Sequence, residues 1–218
     1  MDSLTEWQIS KLRLDRAKPL IICDVDEVVV HFLKGLEAFL DQQELWLDPA
    51  SFALNGNIRE KDTNDPIPGA QIGGLIERFF SEWTGNLDAI DGASASLAAL
   101  SEHADIVMLT NMPDAYKPER IRNLASHGMD YPVVSNAGPK GPSVHHMSQM
   151  TSGPVVFIDD TPSNVNSVTR HAPEVHVMHF MQDHRFRVHL PDLQGIIGSV
   201  DNWSDGSRLI MDAVQGPA

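Results

Sequence analysis

The chain is poor in thiols and in positive charge. Its 218 residues include one cysteine, Cys23, so no disulfide can form within the chain, which fits a reducing compartment. Cys23 lies inside an apolar run and reads as a small buried strand residue. Sixteen Lys and Arg face thirty Asp and Glu, a formal charge of −14. A long nucleic-acid polymer is excluded as a partner on that balance, because phosphate backbones are held by clustered cations. No stretch approaches the ~20 apolar residues of a membrane span, and MDSLTEWQISKLRLDRAK lacks the apolar core of a secretion signal. The expectation is a cytoplasmic protein with no membrane partner. Repeats and low-complexity tracts are absent too. What remains is an ordinary globular composition, 42% apolar, long enough for one good core with a small second lobe.

Within it stand short apolar runs that end in polar groups: PLIICDVD (19–26), ADIVMLTN (104–111), YPVVSN (131–136), PVVFIDD (154–160) and EVHVMHF (174–180). Unbroken Val- and Ile-rich runs suit strands covered on both faces, as in a parallel sheet. Helical patterns separate them at 93–103, at 113–128 between Pro113 and Gly128, within 142–151, and in WSDGSRLIMDAV near the C-terminus. The alternation predicts an α/β, doubly wound, mostly parallel sheet. About 80 residues part the first run from the second, more than one crossover needs. That interval has helical patterns at 32–46 and 71–83 around a loop-like stretch at 48–70 rich in Asp, Asn, Pro and Gly. It predicts a small helical insertion, residues 35–87, above a core of 1–34 and 88–218.

Ligands of open α/β sheets bind at the carboxyl ends of the strands. There the runs place Asp24 and Asp26, Thr110 and Asn111, and Asp159 and Asp160, with Lys140 in the loop after the third run. Four carboxylates at one edge require a cation, and with oxygen donors only, Mg²⁺ is the natural choice. A carboxylate nucleophile, a second carboxyl as acid and base, a hydroxyl and an ammonium are the parts of phosphoryl transfer through an aspartyl-phosphate. Asp24 and Asp26, two apart along a strand, point to one side.

Four motifs in order, IICDVDEVV, IVMLTN, the isolated Lys140 and VVFIDDTPSN, resemble those of the haloacid dehalogenase (HAD) superfamily, on the side of its Mg²⁺-dependent phosphatases with a small helical cap. They cover residues 19 to 165. The resemblance implies a Rossmann-like core, with Asp24 as nucleophile and metal ligand. It implies Asp26 as general acid/base with its backbone carbonyl on the metal, and Thr110, Asn111 and Lys140 as phosphate ligands. Of the acidic pair it favours Asp160 as the metal ligand, with Asp159 directed to a metal-bound water or Lys140, or the reverse. Family members that cleave carbon–halogen bonds lack an acid at the position of Asp26. The commonest pattern has Gly and Thr where this chain has Glu27 and Val28. A positive φ at Glu27 would cost on the order of 1 kcal/mol, and its carboxylate would disfavour highly charged substrates.

The expected substrate is a small phosphorylated metabolite, a nucleotide or a sugar phosphate among the candidates, under a cap formed by the insertion. Two alternatives use the same scaffold: a phosphotransferase or phosphomutase, and a non-catalytic phosphate-binding regulator. A receiver domain also clusters Asp, Thr and Lys, but its phosphoacceptor follows a later strand. Asn164 reads equally as a helix cap. The ten histidines include no tight chelating pair, and His176 and His179 fall on opposite faces of a strand. Trp46, Phe79, Phe80 and Trp83 read mainly as packing. Oligomeric state is not encoded in any of these patterns.

Overall fold

The computed structural model describes residues 1–216, so the last two positions of the expected core span lie outside the described residues. Its centre is one six-stranded sheet, all parallel: β1 (Leu20–Cys23), β4 (Asp105–Thr110), β5 (Val133–Ser135), β6 (Val155–Asp159), β7 (His176–Phe180) and β8 (Ile196–Val200). The spatial order is β5-β4-β1-β6-β7-β8. Chain progress runs one way from β1 through β4 to β5, and the other way from β6 to β8. The order therefore reverses at β1, and a crevice opens above the carboxyl ends of β1, β4 and β6.

Alternation explains the unbroken apolar runs. Ile21, Cys23, Met108, Val156 and Ile158 face one buried cluster, whereas Leu20, Ile22, Val107, Leu109 and Phe157 face another. Both faces are covered, so neither phase of the alternation is polar. The second cluster is closed by α1 (Ser3–Ile9), α6 (Gly141–Ser148) and α7 (Pro162–His171), through Ile9, Val144, Met147, Val165 and Val168. The first is closed by α4 (Ala93–Ser101), α5 (Lys117–Ser126), α9 (Trp203–Gln215) and the segment between β1 and β4.

That segment is less helical than its sequence pattern suggests. Its helices are α2 (Phe32–Asp41) and α3 (Gly69–Trp83), joined by an antiparallel pair, β2 (Leu45–Leu47) with β3 (Ile58–Glu60). The pattern over 32–46 breaks after Asp41 because Glu44 turns to φ +56°, and the chain re-emerges as β2. Leu36, Phe39, Leu40 and Phe79 join the core cluster, and Phe79 meets Phe32 edge-on at 5.0 Å. Outside the insertion, four elements had no clear pattern in the sequence: α1, α7, α8 (His184–Arg187) and β8. The last is interrupted by Gly198, whose bare Cα admits Leu209, with Cδ1 2.8 Å from where a Cβ would stand. No helix among the described residues is long and apolar enough to cross a membrane.

A short helix approach sets the position of the Lys140 loop. At Gly141 an added Cβ would lie 2.5 Å from the Ser167 carbonyl oxygen, on α7. Gly141→Ala is expected to destabilise by about 1–3 kcal/mol, because rigid backbone must shift. Gly74, on the exposed side of α3 with nothing within 4 Å, provides the contrast: Gly74→Ala should leave stability unchanged or raise it by up to about 1 kcal/mol. Urea denaturation of both variants checks the pair.

Candidate functional site

The first carboxyl end is shaped by buried valines. Val25, Val28, Val29 and Val30 are all fully buried, and the Val25 carbonyl accepts from the N–H groups of Val28, Val29 and Val30. This tight turn follows β1 at once and holds Asp24 and Asp26 above the sheet edge. It passes through Glu27 at φ +61°, the left-handed conformation that the missing glycine would have adopted freely. Glu27 Oε1 accepts a 2.6 Å hydrogen bond from the Leu33 N–H in the first turn of α2, which satisfies one orphan donor of that helix.

Lys140 lies at the centre, fully buried. Its Nζ is 2.6 Å from Asp24 Oδ1 and 2.7 Å from Asp159 Oδ2. Asp24 Oδ1 also accepts from the Val25 N–H at 2.7 Å. Asp159 Oδ1 accepts from the Thr161 N–H at 2.9 Å, and Asn164 Nδ2 stands 3.2 and 3.3 Å from its two oxygens. Asn164 therefore steadies Asp159 from within α7. Asp160 bonds to the Thr161 hydroxyl at 3.1 Å, and its carbonyl meets His179 Nε2 at 2.9 Å. Burial lowers the pKa of His179, so it is a neutral strut, joined at Nδ1 to Ser199.

Asp26 points a different way from Asp24. Its Oδ1 is 2.6 Å from Arg120 Nη2, and Thr110 Oγ1 donates to its Oδ2 at 3.3 Å. Arg120, from α5, is fully buried, and its Nε and Nη1 have no hydrogen-bond partner. Sequence reasoning missed this residue, since a charged side chain in a polar helix reads as solvent-facing. The available signal was its position four before Leu124, the apolar anchor of α5, which puts both on one face. Asn111 Nδ2 donates to the Gly138 carbonyl at 2.9 Å, and Asn136 Nδ2 to Asn111 Oδ1 at 2.7 Å. These bonds link the end of β4 to the loop before Lys140.

Among the described residues, the one group of three or more side chains able to share a metal ion is Asp24, Asp159 and Asp160, whose donor oxygens lie within 4.8 Å of one another. Burial pushes Asp24 up to about 7; Lys140 opposes the rise, and Asp159 and Asp26 reinforce it. Asp160 is raised well above the carboxylate range by burial, then by Asp159, Asp24 and Glu27. Burial disfavours the charged form of Lys140, but Asp159 and Asp24 outweigh it and raise its pKa. Three carboxylates around one ammonium leave two negative charges uncompensated. An all-oxygen donor set with that surplus fits a hard divalent cation.

Burial, with that repulsion behind it, gives the site a pH signature. Asp24, and Glu27 with burial as the main cause of its rise to about 7, hold their protons more tightly folded than unfolded. Their contribution to stability is complete below about pH 4 and is lost as pH rises through 7. In EDTA, melting temperature should therefore fall between pH 5.5 and 8, and Mg²⁺ should reduce the fall by replacing the protons. Asp24→Asn should melt higher than the parent in EDTA and gain less from Mg²⁺, as differential scanning fluorimetry can record.

No family model matches the chain, and no curated protein matches it. Solved structures do. A hydrolase of the haloacid dehalogenase-like family from Streptococcus pneumoniae superimposes with a TM-score of 0.63 at 12% identity, covering 89% of this chain and 99% of that one. A HAD family hydrolase from Deinococcus radiodurans, solved with phosphate and sodium bound, gives 0.61 at 15% identity over 91% and 97%. A defluorinating L-2-haloacid dehalogenase gives 0.57 at 12% over 92% and 99%. At such identities the likeness concerns backbone architecture: the chain has the fold of the haloacid dehalogenase-family hydrolases.

Proposed function

We propose that the protein is a Mg²⁺-dependent phosphohydrolase of a small phosphomonoester, working through an aspartyl-phosphate on Asp24. The observation that supports this most directly is the meeting of Asp24, Asp159 and Lys140 within 2.7 Å contacts, at a sheet edge that also carries Asp26 and Thr110. Asp24 and Asp160, with the Asp26 backbone carbonyl, would hold the ion, and Asp159 would orient Lys140. Bound there, Mg²⁺ neutralises charge on the phosphoryl oxygens and the nucleophile.

Asp24 Oδ1 is occupied by Lys140 and the Val25 N–H, which leaves Oδ2 to attack phosphorus. The bond from phosphorus to the leaving oxygen breaks as Asp26 gives that oxygen its proton. Asp26 then takes a proton from water, the water oxygen bonds to phosphorus, and Asp24 is released as a carboxylate. Thr110, Asn111 and Lys140 would hold the phosphoryl oxygens. Arg120 fixes the Asp26 carboxyl in the crevice. An acid at position 26 disfavours carbon–halogen cleavage, in which no leaving oxygen needs a proton. Residues 35–87 act as the cap, closing off water above the crevice.

A panel of phosphomonoesters assayed with Mg²⁺ and with EDTA tests the proposal. Turnover is expected with Mg²⁺ only, lost in Asp24→Asn, and reduced about 10²–10⁴-fold in Asp26→Asn. Activity that persists in EDTA or in Asp24→Asn rules the mechanism out. For Arg120→Met, kcat should fall more than KM rises, since the variant disturbs the proton donor and leaves the phosphoryl ligands in place. A change confined to KM would assign Arg120 to substrate binding instead.

A further inference from the structure

The crevice that holds Asp24, Asp26, Lys140 and Asp160 is one cavity of about 320 Å³ with the apolar residues beside them, at the small end of the range for ligand pockets, roughly 300–1,000 Å³. Its two ends differ in chemistry. Around the carboxylates the lining is polar, with Asn111, Thr161, Ser163 and Asn164. Away from them it is formed by Phe32, Leu33, Phe52, Phe80, Met181 and Phe186. The aromatics come as two pairs, Phe32 with Phe80 at 5.9 Å and Phe52 with Phe186 at 5.7 Å. Each pair presents ring surface that a planar group can stack on or meet edge-on.

The charge inventory is equally one-sided. Lys140 is the one cation among the lining residues, and it is committed to Asp24 and Asp159. Arg120 is buried against Asp26. Arg185, which acts electrostatically on Glu27, is held by Glu37 at 2.5 Å and Asp183 at 2.6 Å. The apolar end thus offers no free cation to a second anionic group. It offers one polar side chain, Glu27, which spends a single oxygen on the Leu33 N–H.

We propose that this end of the cavity is a leaving-group subsite for an uncharged alcohol bearing a flat aromatic or heteroaromatic ring, and that Glu27 excludes anionic leaving groups while accepting a hydrogen bond from an N–H or O–H of the favoured one. The inference rests on the phosphohydrolase reading and deepens it to a substrate class. A ring gains contact with four phenylalanines and a methionine. A carboxylate-bearing leaving group loses its water beside Glu27 in a poorly hydrated setting, with no free cation to neutralise it. A polyol loses water from hydroxyls for which Glu27 is one acceptor against many donors.

The test uses phosphate esters of primary alcohols, so that leaving-group reactivity is similar: benzyl phosphate, thymidine 5′-monophosphate, glucose 6-phosphate and 3-phosphoglycerate. With Mg²⁺, kcat/KM for the two ring-bearing esters should exceed that for the sugar and the acid by at least about tenfold. Glu27→Gln should raise 3-phosphoglycerate relative to benzyl phosphate, and Phe80→Ala should lower benzyl phosphate relative to glucose 6-phosphate. These ratios, taken within one preparation, do not depend on how much of a variant folds. Equal values across the panel, or a preference for the acid or the sugar, would overturn the subsite and leave the phosphohydrolase standing. No turnover of any ester would overturn both.

Discussion

The Lys140 ammonium, fully buried and in contact with Asp24 and Asp159, is the constraint on which the rest of the crevice depends. A lone ammonium or carboxylate at this depth would be displaced to water or neutralised, since burial of an unpaired charge costs several kcal/mol. The group is tolerable because its members answer one another. Lys140 offsets two carboxylates, Asn164 and the Thr161 N–H occupy Asp159, and the Val25 N–H shares Asp24 Oδ1. Burial, and then the negative charge still in excess, raise Asp24 and Asp160. A site in that condition stores affinity for a cation, and the fold meets the electrostatic strain elsewhere, in a sheet buried on both faces.

The neighbouring charges are arranged on a different principle. Asp26 pairs with Arg120 and Asp24 with Lys140, so the two acids two residues apart have different counterions, although Asp26 still adds to the rise of Asp24. Under the proposed mechanism one would ionise while the other exchanges a proton. Arg120 stays fully buried with two nitrogens unpartnered, an arrangement without merit for stability alone. Its presence is intelligible if the position of the Asp26 carboxyl matters more than the cost of the guanidinium.

Much of this was legible in the chain because buried parallel strands leave an unmistakable trace. Four of the six strands carry runs such as VVFID and IVMLT, uninterrupted since both faces are covered and followed or closed by a polar residue, and a fifth, β7, carries His176 and His179 and ends at Phe180. The sixth, β8, was not legible: Gly198 interrupts it at the point where Leu209 of α9 packs. The positive φ of Glu27 could be anticipated from the absence of glycine at that place. For Arg120 the helical spacing to Leu124 marked only the face; its partner, Asp26, lies ninety-four residues away. The antiparallel pair of the insertion was hidden for a similar reason. Three-residue strands have no periodicity to read, and the turn at Glu44 lies within an apparently continuous helical pattern.

The aromatic end of the cavity shows why such a site resists reading in one dimension. Phe32 and Phe80 come from α2 and α3, Phe52 from the loop between β2 and β3, and Phe186 from α8, beyond β7. In the sequence the four are scattered over more than 150 positions, and the ordinary expectation for any of them is packing. Packing is indeed part of their role, for Phe80 stacks on Tyr116 at 6.3 Å and Phe32 meets Phe79. Glu27 turns that assembly from a core into a site. A buried carboxyl that accepts from the first turn of α2 ties that helix to the loop carrying Asp24 and Asp26. The aromatic wall and the turn that places the two acids are thereby one mechanical unit. The shape of the one and the position of the other consequently depend on a single residue, and a change at position 27 is felt by both.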